Sequence, residues 1–208
     1  MKNYIKLIVC GLCIISIRYD IFAQPICQIQ HFSAYNGLAQ RTVTDIAQDP
    51  KGFIWFSTWN GLNKFDGYTF ENYKAYPGDG CTLTSNRLSG IVSNQQSNIW
   101  CQTYDNKVYL FDSRNKEFID ILQPIEKRTK RTYIVRKIYA LSKGISWIVF
   151  DNGAFRIDDK IYQSGENYEK SITIYSPEMK NLPSGEIFNI KQDADGDEWI
   201  FTNKGIHI

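Results

Sequence analysis

The chain has 208 residues, 43% of them hydrophobic and 14% aromatic, with a formal net charge of +2, which is enough apolar material for a sizeable core. Abundant Tyr, Phe and Trp beside only 2 Met suit half-buried pleated surfaces and speak against a helix bundle. Of the 5 cysteines, Cys10 and Cys13 lie in the apolar N-terminal stretch, and the other three, Cys27, Cys81 and Cys101, are an odd number with no CxxC or Cys/His spacing, which argues against a disulfide framework or a zinc site.

The N-terminus reads as an export signal over residues 1–23. Lys2 and Lys6 make a positive start, Leu7 to Ile17 is an apolar core of eleven residues, and Ile21-Phe22-Ala23-Gln24 offers a cleavage site after Ala23. Eleven apolar residues are too few to span a bilayer, so removal is favoured over retention as an anchor. Cys10, Cys13 and Cys27 follow Val9, Leu12 and Ile26, none of them the small residue that lipid attachment needs. Processing would take away Lys2, Lys6, Arg18 and Asp20, leaving residues 24–208 neutral, with no global field to attract nucleic acid or an anionic membrane. Cys27, Cys81 and Cys101 would remain, and their pairing is open.

From residue 38 onward one phrase returns four times. Ile46, Ile91, Ile138 and Ile190 each stand nine residues before a tryptophan, Trp55, Trp100, Trp147 and Trp199. Six residues after each tryptophan comes a turn-former: Gly61, Asn106, Gly153 or Gly205. The tryptophans lie 45, 47 and 52 residues apart, the length of a four-stranded propeller blade. The fold class that follows is all-β, an incomplete β-propeller of about four blades with the last cut short. The blades are expected at about 38–80, 83–123, 132–163 and 182–208.

Within the first repeat, Val43, Asp45 and Ala47 alternate with Thr44, Ile46 and Gln48 along a first strand. Asp49-Pro50-Lys51-Gly52 is turn chemistry, Phe53 to Thr58 an apolar second strand, and Asn60-Gly61 a hairpin signal. Leu62 to Asp66 and Thr69 to Tyr73 complete four short antiparallel strands. Leu88 to Ile121, Tyr133 to Ile157 and Glu186 to Ile208 repeat the order. The basic run Lys127, Arg128, Lys130 and Arg131 joins two repeats and reads as a solvated loop. A tryptophan between Ile54 and Phe56 belongs to blade-to-blade packing rather than to a binding stripe. Asp193-Ala194-Asp195-Gly196-Asp197 is a hairpin turn, since Gly and Glu are misplaced for a calcium loop.

His31 to Lys74 resembles the first blade of the two-component regulator propeller repeats. The residues that carry the likeness are Asp49, Gly52, Ile54, Trp55, Thr58, Gly61, Leu62, Lys64, Phe65 and Asp66, with the lead-in Asn36-Gly37-Leu38 and the later Tyr76-Pro77-Gly78-Asp79. Ser57 replaces a usual Gly, Asn94, Asn98 and Asn106 replace Asp or Gly, and the third repeat has Ser142-Lys143-Gly144 in place of the Asp-x-x-Gly turn. The resemblance implies the N-terminal part of the periplasmic sensor region of a Bacteroidetes hybrid two-component histidine kinase, within a seven-bladed ring. It also implies a glycan-derived small ligand, and as partners the remaining blades and kinase of a parent chain that works as a homodimer in the inner membrane. No glycine box for nucleotides is present and neither His31 nor His207 lies in a phosphoacceptor motif, so this chain is expected to have no catalytic residue, cofactor or metal and to bind no nucleic acid.

Two other classes compete. A propeller enzyme would need paired carboxylates, but Asp49, Asp66, Asp151 and Asp193 sit in turns. A scaffold binding a protein partner fits less well with an export signal. For a sensor, the ligand-binding candidates are the residues that follow each tryptophan at the hairpin: Trp59 and Tyr104 to stack on a sugar ring, and Asn60, Asp105 and Asn152 to hydrogen-bond its hydroxyls. An open array of so few blades would also expose sheet faces and edges, so the isolated chain is expected to be marginal in stability.

Overall fold

A computed structural model of the chain describes residues 29–76, 83–160, 168–182 and 185–208. The segment 1–23 and the residues Cys27, Cys81 and Pro77 to Asp79 lie outside the described residues. Phe32–Ile208 form one unit.

Four antiparallel sheets follow one another along the chain. The first holds β1 (Val43–Gln48), β2 (Ile54–Thr58), β3 (Gly61–Phe65) and β4 (Phe70–Tyr73) in that order. The second holds β5 (Leu88–Ser93), β6 (Ile99–Thr103), β7 (Val108–Asp112) and β8 (Glu117–Asp120). The third holds β9 (Val135–Ala140), β10 (Ile145–Phe150), β11 (Gly153–Asp158) and β12 (Ile172–Tyr175), and the last has β13 (Ile187–Gln192), β14 (Glu198–Thr202) and β15 (Gly205–His207). The first strands pack side by side, β1 with β5 and β5 with β9, so they form the inner edge of an open arc. The third blade closes on β12, beyond the boundary of 163 read from the sequence.

The core lies between the sheets. Trp55 packs with Leu88, Ile91 and Phe111 of the next blade, Trp100 with Ile138, Ile148 and Phe155, and Trp147 with Ile187, Ile190 and Ile200. These three tryptophans are buried, as blade packing requires, while Trp199 on the last sheet is half-buried.

The turns explain the spacing of the repeat. In the first blade, Asp49 accepts Lys51 N at 2.9 Å and Phe53 N at 3.1 Å on one oxygen, and the Trp55 indole N–H at 3.0 Å on the other. Asp193 does the same for Gly196 N and Asp197 N, both at 2.9 Å, and for Trp199 at 2.8 Å. The Trp199 indole first, and then these backbone N–H groups, hold the Asp193 carboxyl below its usual range. An aspartate six residues before a tryptophan is therefore one device that shapes the turn and anchors the ring. It commits the Asp193 carboxylate to the protein, as the hairpin reading expects.

Two features depart from the sequence reading. Every first strand carries a bulge, at Thr44, Ser89, Arg136 and Phe188, where one residue is left out of the ladder. Val43 therefore pairs with Thr58 but Asp45 with Ser57, which puts Val43 and Asp45 on opposite faces and breaks the alternation expected for them. The basic run before the third blade is solvated as expected, with Lys130 and Arg131 outside any helix, but Lys127 and Arg128 do not lie in a loop. Leu122–Thr129 form a helix, α1, whose Leu122 and Ile125 are buried and whose last turn holds Lys127 and Arg128, favourably placed at the negative end of the helix dipole.

Candidate functional site

In the first, second and fourth blades the hairpin between the second and third strand lies beside the start of the first strand. Trp59 N donates to Thr42 O at 3.3 Å, Tyr104 N to Arg87 O at 3.0 Å, and Asn203 N to Glu186 O at 3.1 Å. In these three blades a threonine side chain builds the hairpin. Thr58 and Thr202 donate to Gly61 O at 2.9 Å and Gly205 O at 3.0 Å, while Asn60 N and Lys204 N donate back to them at 3.1 Å each. Thr58, Thr103 and Thr202 are buried in this role and offer nothing to a ligand. Gly61 has φ of +100°, and a Cβ there would lie 2.4 Å from Tyr73 O, so the tight turn excludes any side chain. Asn106 occupies the matching position at φ of +61° and uses its amide to bond Tyr133 O at 2.7 Å and Val135 N at 2.9 Å, tying the second blade to the third.

These hairpins project Trp59 and Tyr104 from neighbouring blades, 39% and 54% exposed. Their rings meet edge to face with centroids 6.2 Å apart. Arg87 stands with them, its guanidinium carbon 4.6 Å from the Trp59 ring and 5.4 Å from the Tyr104 ring. The result is an exposed cluster with two flat apolar surfaces and one cation.

The other candidates are placed differently. Asn60 spends its amide on Ala39 O at 3.3 Å, which makes it a brace for the hairpin. Asp105 accepts from Thr84 Oγ1 at 3.1 Å. Asn152 lines a separate open cleft of about 640 Å³ in the third blade, with Tyr133, Ile134, Phe150 and Pro177 as apolar walls. There the Trp59 equivalent is Asp151, which is ion-paired to Arg136, so the aromatic surface does not continue into the third blade. The structure thus brings Trp59 and Tyr104 together, leaves Asp105 at their margin, and does not unite them with Asn152.

Arg87 was missed by sequence reasoning because its position, four residues before the repeated isoleucine, is Thr42, Ile134 and Glu186 elsewhere. The register offered a signal, since in the first, second and fourth blades that position faces the residue four after the tryptophan. Among the described residues no three His, Cys, Asp or Glu side chains gather as metal ligands, and no helix is long and apolar enough to cross a membrane.

Three four-stranded antiparallel sheets and a three-stranded one, packed in succession and unclosed, define an incomplete β-propeller. Within that class, residues 37–60 match the two component regulator propeller family, so the chain carries this repeat. It is 45% identical over 53 residues to Histidine kinase P4 of Formosa agariphila, a match covering 26% of this chain and 4% of that protein. The extracellular domain of the hybrid two component system BT3049 from B. thetaiotaomicron superposes with a TM-score of 0.61 at 23% identity, covering 86% of this chain and 26% of the other. That of BT4673 from the same organism gives a TM-score of 0.55 at 22% identity, over 86% of this chain and 25% of the other. The chain therefore spans about a quarter of these solved chains and a small fraction of the curated relative.

Proposed function

We propose that this chain is the N-terminal part of the ligand-sensing propeller of a hybrid two-component sensor kinase. On this reading it is exported to the periplasm and takes a small glycan-derived ligand at the face built by the strand-two to strand-three hairpins. It binds and does not catalyse. Its partners are the remaining blades and the kinase of a homodimeric parent anchored in the inner membrane. The propeller repeat at residues 37–60 and the kinase relative support the signalling part of the reading.

The observation that carries the ligand part is the exposed pair Trp59 and Tyr104, held by hairpins whose backbone geometry is fixed by buried threonines. A sugar presents C–H groups on one face and hydroxyls at its edge, which suits an aromatic surface with polar neighbours. To transmit a signal the ligand need only favour one of two dimer arrangements by a coupling of ~1–3 kcal/mol.

The test is calorimetric titration of the full chain with a panel of neutral and acidic trisaccharides. At least one should bind, and Trp59→Ala and Tyr104→Ala should each weaken it by about tenfold, one such step being about 1.4 kcal/mol. Unchanged affinity in both variants would remove this face from the reading.

A further inference from the structure

We infer that Arg87 reads a negative charge, and that the saccharide taken at this face carries an oxyanion, a carboxylate or a sulfate, against the aromatic pair. The inference rests on the proposed reading of the face and narrows the class of ligand.

A guanidinium presents five N–H donors in one plane, and its flat faces are weakly hydrated. At Arg87 both properties are used in a particular way. The two rings lie within cation–π distance of its carbon and restrict where the group can go. Its N–H groups, in contrast, donate to no acceptor among the described residues, and the residue is exposed. Cations elsewhere in the second and third blades and in the stretch that joins them are engaged instead: Arg136 with Asp151, Lys107 with Glu126 at 3.3 Å, and Arg131 with Glu178. Asp105 is the acid next to Tyr104, and it bonds Thr84 instead of the guanidinium. Arg87 is thus a positioned cation whose donor edge is open.

That edge matches one kind of sugar substituent. The guanidinium lies over one face of each ring, so a pyranose that stacks its C–H face on a free ring face or edge meets the open N–H donors through the substituents at the sugar's own edge. A carboxylate or sulfate there offers two oxygens to two parallel N–H groups, a charge-assisted pair about twice as strong as a neutral hydrogen bond. A hydroxyl offers one oxygen and no charge. The face should therefore discriminate acidic from neutral saccharides of the same shape, and it should do so through Arg87.

Full chain titrated with trigalacturonate, with its methyl ester and with a sulfated galactose disaccharide tests this. One of the two anions should bind about tenfold or more tighter than the ester, and which one binds identifies carboxylate or sulfate. Arg87→Gln should reduce that ligand to the level of the ester, and Arg87→Lys, which keeps the charge and loses the planar fork, should weaken it by an intermediate factor. Because Arg87 is exposed, both variants should keep the parent melting temperature, which controls for folding. Neither anion binding tighter than the ester, or full affinity of the preferred anion in Arg87→Gln, overturns the inference and leaves the saccharide reading standing. Binding of neutral trisaccharides alone has the same meaning. If no saccharide of either charge binds, both readings fall together.

Discussion

Asp159 shows how a single change of residue is compensated in space. Position 94 in the second blade corresponds to Asp49 and Asp193, but it is asparagine. Its Oδ1 still shapes the turn, accepting Gln96 N at 3.0 Å and Asn98 N at 2.9 Å. Its other atom is a donor and cannot take the Trp100 indole, which donates instead to Ser146 Oγ of the third blade at 2.8 Å. Ser146 and Asn94 then donate to Asp159 Oδ2 at 2.9 and 3.2 Å, so the missing carboxylate reappears across the blade interface. Asp159 is 1% exposed, and its Oδ1 has no hydrogen-bond partner among the described residues. Burial raises its pKa from 3.8 to about 7, with Asp158 adding like-charge repulsion and the bonds from Ser146 and Asn94 opposing. Between those values the folded chain keeps a proton that the unfolded chain has lost. The stabilisation is therefore complete below pH 3.8 and is lost as pH rises through about 7. It amounts to at most about 4 kcal/mol. Urea midpoints should fall between pH 4 and pH 7 for the parent, and Asp159→Asn should flatten that fall and be the more stable form at pH 8. Parallel pH curves for the two proteins would show that Asp159 stays ionised.

At the scale of the element, the blade was legible because the same physics recurs: a turn that needs Asp and Gly, a strand buried on both faces, a hairpin that needs φ above zero. Its period and its tryptophans follow directly. The bulges were not legible, because Thr44, Ser89, Arg136 and Phe188 share no chemistry and the irregularity is set by packing on the inner edge. Helix α1 was obscured by its basic C-terminal turn, although Leu122 and Ile125 are spaced to lie on one buried side. In the site, Trp59 and Tyr104 could be named from the repeat, whereas Arg87 required knowing which strand start lies beside which hairpin. The role of Asp49 as both turn-shaper and indole acceptor can be separated by Asp49→Asn. This change should keep the turn acceptor and remove the Trp55 acceptor, lowering stability by about 1–3 kcal/mol, with Asp49→Ala costing more. Chemical denaturation of both variants checks the order. Equal losses would mean that the Trp55 bond contributes all of the effect.

For the whole molecule, the repeat makes stability a property of interfaces between blades. Ile91, Ile138 and Ile190 are 4%, 6% and 2% exposed because each fits against the tryptophan-bearing side of the blade before it. Ile46 holds the same place in the first blade and is 59% exposed. It shares its face with Phe56, across the ladder, and that sheet face is partly covered by Phe32. An identical residue at an identical position in the repeat thus has two environments, decided only by whether a blade precedes it in the arc. Truncating Ile91 to Ala should remove buried contacts on both sides of an interface and cost about 2–5 kcal/mol, while Ile46→Ala should change stability by no more than about 0.5 kcal/mol. Urea denaturation of the two variants measures the contrast. A loss at Ile46 comparable to that at Ile91 would mean that in solution the outer face of the first blade is covered, and that the arc is completed by contacts beyond those of the four sheets.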